Sequence, residues 1–183
     1  MDSYYYPVSA LPGISFDSDS PLTEERFLEQ ILPWITGKDA VLIKGIKDGK
    51  LTEGRNQILD SWNRWNISLK NELVKLRAGK LGIDNEKYQR EGGGLWYLQE
   101  KAREIFLQES PLTAEIAILK EQWDYLTELE LGHYFDIEIL IIYFLKLRIL
   151  VKKNYYRSAT GRTNFEELYR IINVTQSEFR AGE

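Results

Sequence analysis

The stretch Ile137–Val151, IEILIIYFLKLRILV, constrains this chain more than any other. Apolar residues occupy nearly every direction around it, so a helix built from it must be covered on all sides. A bilayer span takes about 20 predominantly apolar residues, whereas this run has 15 and contains Glu138, Lys146 and Arg148. It therefore reads as a buried helix at the centre of a bundle, capped by Asp136 and running towards Lys153.

The neighbours such a helix needs are also in the sequence. Ile58, Trp62, Trp65, Leu69, Leu73 and Leu76 are separated by 4, 3, 4, 4 and 3 residues, which predicts one helix over 52–80, about 43 Å long, with a continuous apolar seam. LGIDN at 81–85 stops it. Leu112, Ile116, Leu119, Trp123 and Leu126 repeat the pattern behind a Ser110 cap and Pro111, ending near Gly132.

Residues 86–109 read as a further helix carrying Leu95, Leu98, Ala102, Ile105 and Phe106, weakened in its first half by EGGG at 91–94. Ser20 and Pro21 predict a helix start, with Glu24 and Glu25 at its positive end, Phe27, Leu28, Ile31, Leu32 and Ile35 on one face, a bend or early end at Pro33, and closure at Gly37. KDAVLIKGIKDGK at 38–50 reads as helix or turn. A last helix is predicted from Thr163, with Glu166 completing a capping box and Phe165, Leu168, Ile171 and Ile172 facing inward. No convincing alternating strand occurs.

These patterns predict an all-α fold: one elongated helical domain over 1–183 with long antiparallel helices, an extended N-terminal arm over 1–20 and a helical body over 21–183. The arm opens with Tyr4, Tyr5 and Tyr6, whose rings are expected to pack on the helices and hold the terminus down.

With 183 residues and 43% hydrophobic content, the chain can bury a substantial core. It has no cysteine, which excludes disulfides, thiolate nucleophiles and cysteine-ligated metals and fits a reducing compartment. MDSYYYPVSA lacks the basic flank and apolar run of a secretory signal, so the expected location is the cytoplasm. The single histidine, His133 in LGHYFD, sits between two helices within reach of Asp136 and reads as a satisfied turn residue.

No D-x-D-x-D-G loop or E-x-x-H pair is present, so no metal, cofactor or catalytic group is expected. GIKDGKLT at 45–52 is not a phosphate loop: three residues separate its glycines and Leu51 follows Lys50. GGG at 92–94 reads as a joint. NIS at 66 and NVT at 173 match glycosylation acceptors by chance.

Charge is segregated along the chain. Residues 115–138 carry Glu115, Glu121, Asp124, Glu128, Glu130, Asp136 and Glu138 against Lys120 alone, and residues 139–165 carry Lys146, Arg148, Lys152, Lys153, Arg157 and Arg162 with no acid. One reading pairs the two groups across the turn at Gly132. The other makes Lys152, Lys153, Arg157 and Arg162 a contact surface for an acidic partner or lipid headgroups. Nucleic acid is not the expected partner, because the overall charge is −4 and only Tyr155 and Tyr156 accompany the basic residues.

Four segments taken in order, YYYPVSALPGISFDSDSPLTEERFLE from Tyr4, SLKNELVKLRAGKLG from Ser68, SPLTAEIAIL from Ser110 and FDIEILIIYFLKLRIL from Phe135, resemble a bacterial family encoded with the subunits of V/A-type ATPases and standing in for their C-type central-stalk component. The resemblance implies a non-catalytic coupling role. The C-type component is an all-helical, funnel-like protein that caps the membrane rotor ring and receives the foot of the central shaft; this chain is considerably shorter. The implied partners are the central-stalk and membrane-ring subunits, with no small-molecule substrate, and the implied place is the inner face of the membrane, held there through the complex. The alternatives are a free-standing helical adaptor or regulator that binds a protein through the basic C-terminal segment, and a carboxylate-dependent hydrolase.

Overall fold

Asp136 begins the central helix as its sequence predicts, its carboxylate accepting the Ile139 N–H at 3.1 Å. The computed structural model describes residues 4–49, 54, 56–92 and 94–158. Seven α-helices occur among them: α1 (Tyr5–Ala10), α2 (Glu24–Ile31), α3 (Gly37–Lys47), α4 (Gln57–Leu81), α5 (Leu98–Phe106), α6 (Pro111–Leu129) and α7 (Ile137–Arg157). Short 3-10 turns cover Leu32–Trp34 and Glu86–Tyr88. No strand occurs among the described residues, and the fold is all-α. The helix predicted from Thr163 lies outside the described residues.

The centre is α7. Leu140, Ile141, Ile142, Phe144, Leu147 and Leu150 are all fully buried, each contributing about 1.5–3 kcal/mol. Phe27 of α2 stacks on Phe144, with centroids 4.8 Å apart and planes 5° apart, and on Tyr143 at 5.5 Å. The seam of α4 is buried as expected from Ile58 through Leu73. Its Trp65 stacks on Tyr125 of α6 at 4.8 Å and on Trp62 at 6.1 Å. Asn56 caps α4 by accepting from Ile58 and Leu59, and Gly82 ends it at φ +68°, a conformation that favours glycine.

Three expectations are corrected. First, α2 starts at Glu24, not at Pro21: the Thr23 hydroxyl accepts the Arg26 N–H, while Ser20 spends its hydroxyl on the Leu22 carbonyl. Pro33, which has no N–H to donate, falls in the 3-10 turn where α2 ends. Second, only Leu98–Phe106 of the segment 86–109 is α-helical, because Gly92 and Gly94 adopt φ of +88° and +89° and a right-handed helix cannot pass through them.

Third, the N-terminal arm is not extended throughout. Tyr5–Ala10 is helical, with Pro7 in its first turn, where a missing N–H costs nothing. The three tyrosines separate in role. Tyr4 is buried: its N–H donates to the Phe135 carbonyl at 2.6 Å, and its hydroxyl donates to Asp39 and accepts from the Thr36 N–H. Burial and Asp39 raise its pKa above 10.0.

Tyr5 lies 4.7 Å from the Phe135 ring and Tyr6 4.2 Å from Trp34, yet they are 64% and 59% exposed. Replacing both with alanine is therefore expected to cost only about 1 kcal/mol, read as a fall in Tm of roughly 2–4 °C. Unchanged melting would show that the two rings hold nothing.

Candidate functional site

The basic residues after Glu138 are mostly engaged within the molecule. Lys146, 4% exposed, pairs with Glu130 at 2.7 Å and lies over the Trp123 ring at 4.9 Å. Arg148 reaches Glu24 at 3.4 Å and donates to the Ile46 carbonyl at 2.6 Å. Much of the charge segregation is thus pairing between α6 and α7, and between α7 and the first helices.

The four residues expected to form a contact surface divide. Lys153 is removed from it: fully buried, its ammonium donates to the Phe16 and Ser18 carbonyls and sits over the Phe16 ring. Burial, aided by nearby Arg157, pushes its pKa below 10.5. Lys152 is half exposed, with Glu115 at 3.7 Å. Arg157 is exposed at the last turn of α7, where the helix dipole favours a cation. Arg162 lies outside the described residues.

Lys152 opens onto a cleft of about 740 Å³ between α4, α6, α7 and the loop at 89–92. Trp62 and Ile67 from α4 and Leu145 and Ile149 from α7 give it apolar walls, and Lys70, Arg90 and Arg148 join Lys152 as its cations. Helical spacing puts Trp62, Asn66 and Lys70 on one face of α4, and Arg148, Lys152 and Tyr155 on one face of α7. Across the cleft the Gln122 amide donates to Asn66 Oδ1 at 2.6 Å.

Arg90 is held in place through its backbone. The buried Asn71 side chain donates to the Arg90 carbonyl at 2.9 Å and accepts the Arg90 N–H at 2.9 Å, closing a two-point clamp, and also donates to the Gly92 carbonyl at 3.4 Å. Burial lowers the pKa of Lys70, and Arg90 and Lys152 lower it further, while Glu115 works against them. Among the described residues no carboxylate lies within ion-pair distance of Lys70 or Arg90. Sequence reasoning named neither residue, since each is an ordinary surface cation until the fold brings it beside Lys152.

His133 sits as its sequence suggests, its Nδ1 2.7 Å from Asp136 Oδ2. With Glu138 these groups offer ligand atoms within 4.8 Å of one another, a geometry that can hold a metal. Both carboxylates already serve structure: Asp136 caps α7 and Glu138 accepts from Asn56 Nδ2 at 3.4 Å.

Comparison with family models, with curated proteins and with solved structures gives no match.

Proposed function

We propose that this chain is a non-catalytic peripheral subunit of a V/A-type rotary ATPase that couples the central stalk to the membrane rotor ring, in the manner of the C-type stalk component. The observation that carries the reading is the ordered resemblance of the four segments beginning at Tyr4, Ser68, Ser110 and Phe135. An all-α body with α4 and α7 of 25 and 21 residues supports it, because long packed helices supply the stiffness that torque transfer requires. No described helix is long and apolar enough to cross a membrane, so contact with the rotor ring would run through protein surfaces, and the Lys70–Arg90–Lys152 cleft offers one.

Purifying the tagged protein from its own detergent-solubilised membranes is expected to recover the catalytic ATPase subunits and the rotor ring, identified by mass spectrometry. Recovery alone, or with unrelated soluble proteins, would discard the coupling role. The second reading, a free-standing adaptor, is favoured by the cationic cleft, which serves any acidic protein partner equally well. The same purification separates the two.

A further inference from the structure

We infer that the cleft between α4, α6 and α7 is the docking site for an acidic, amphipathic helical segment of a protein partner. Three features of the cleft define that occupant.

Charge comes first. In a chain of net charge −4, this cleft gathers Lys70, Arg90, Arg148 and Lys152 around one opening. Glu24 meets Arg148 at 3.4 Å and Glu115 meets Lys152 at 3.7 Å, which leaves Lys70 and Arg90 without an ion-paired carboxylate among the described residues. Carboxylates brought by a partner would relieve the mutual repulsion of these cations and offset the desolvation of Lys70.

The second feature is the apolar lining between the cations. Trp62 and Ile67 on one wall and Ile149 and Val151 on the other suit leucine-like side chains, the pattern of a helix laid in a groove. A bare phosphate compound has no use for such a lining, and a flat bilayer surface cannot reach into a cleft. The volume, about 740 Å³, lies within the usual range of roughly 300–1,000 Å³ for pockets, enough for the side chains along one face of a segment.

The third is preorganisation. Asn71 holds the Arg90 backbone at two points, and Gln122 ties α6 to Asn66 of α4. The backbone that carries Arg90 and the α4–α6 wall are therefore fixed before a partner arrives, which lowers the ordering cost of binding.

For the identity of the partner this inference rests on the coupling reading; for its chemistry it rests on the cleft alone. The test uses the purified full chain and a fluorescein-labelled synthetic helix with leucines on one face and glutamates on the other, followed by anisotropy at low salt. Saturable binding is expected, weakened by added salt. It should fall at least about tenfold when glutamine replaces the peptide's glutamates, and again in the Lys70→Glu, Arg90→Glu chain, whose melting curve is checked for folding. Lys70→Gln with Arg90→Gln serves if the charge-reversed chain does not fold.

Equal affinity for the glutamine peptide, or undiminished binding by the folded variants, would overturn the inference. So would binding of pyrophosphate or of phosphatidylserine vesicles with no binding of the acidic helix, which would reassign the cleft to a small phosphate ligand or to lipid. If ATPase subunits copurify with the wild-type chain while the peptide fails to bind, the docking inference falls and the coupling reading stands; peptide binding without those subunits gives the reverse.

Discussion

Trp65→Ala is expected to lower the stability of the folded chain by about 3–5 kcal/mol and its Tm by roughly 6–20 °C. The indole is 1% exposed and belongs to a cluster of three rings, 4.8 Å from Tyr125 at 9° and 6.1 Å from Trp62 at 6°. Truncation removes the apolar burial, leaves a cavity in the wall shared by α4 and α6, and ends both stacking contacts at once. Trp65→Phe keeps a ring there and should recover a large part of the loss. Urea unfolding of the three proteins measures the difference, and a loss below about 1 kcal/mol for the alanine variant would mean that Trp65 is not a core residue.

Lys153→Met, which keeps most of the side chain's length and discards its donors, is expected to cost about 2–4 kcal/mol, because it leaves the Phe16 and Ser18 carbonyls without their partner. The arm ahead of α2 should then become the first site of protease attack. The variant also changes the pH dependence. Burial depresses the lysine pKa in the folded state, so the unfolded chain holds that proton more tightly, and the group's contribution to stability rises with pH up to about 10.5. Arg157 adds to the depression, while Asp17 and Asp19, which face the same ammonium, work against it. Tyrosines such as Tyr143, pushed up to about 12 by burial, contribute in the opposite sense, their stabilisation being lost only as pH climbs past 10. Between neutral pH and 10 the wild-type stability should therefore rise more steeply than that of Lys153→Met. Parallel slopes would show that the ammonium is not desolvated.

Elements governed by nearby residues were legible in the sequence. The Asp136, Ser110 and Gly82 boundaries, the all-round burial of α7 and the seam from Ile58 to Leu73 each follow from periodicity plus a cap. Misreadings arose where two local solutions compete. Ser20-Pro21 and Thr23-Glu24 are both acceptable starts; the Thr23 hydroxyl takes the Arg26 N–H while the Ser20 hydroxyl goes to the Leu22 carbonyl, and the helix begins at the second. Leu95, Leu98 and Ala102 look helical as a set, yet the chain conformation at Gly92 and Gly94 overrides the pattern ahead of Leu98.

Of the four residues read from the sequence as a contact surface, Lys152 alone lines the cleft among the described residues. Lys152 and Lys153 are adjacent and chemically identical in the sequence, but one step along a helix turns a side chain by about 100°, enough to put one at a cleft and the other in the core. A signal was present: Lys153 lies seven residues after Lys146, on the same face of α7, and both are buried over aromatic rings. Lys70 and Arg90 had no comparable signal, since their relation to Lys152 arises only when α4 meets α7.

The Lys153 clasp also orders events during synthesis. Phe16 and Lys153 are 137 residues apart, and the Pro12 carbonyl accepts from Tyr143, 131 residues on. Thr36 and Asp39, which hold Tyr4, follow it closely in the chain, whereas the loop from Pro12 to Ser18 is made long before Tyr143 and Lys153, the α7 groups that fasten it. That loop is thus among the last parts of the molecule to settle, and until α7 is made the Phe16 and Ser18 carbonyls lack the ammonium that fastens them.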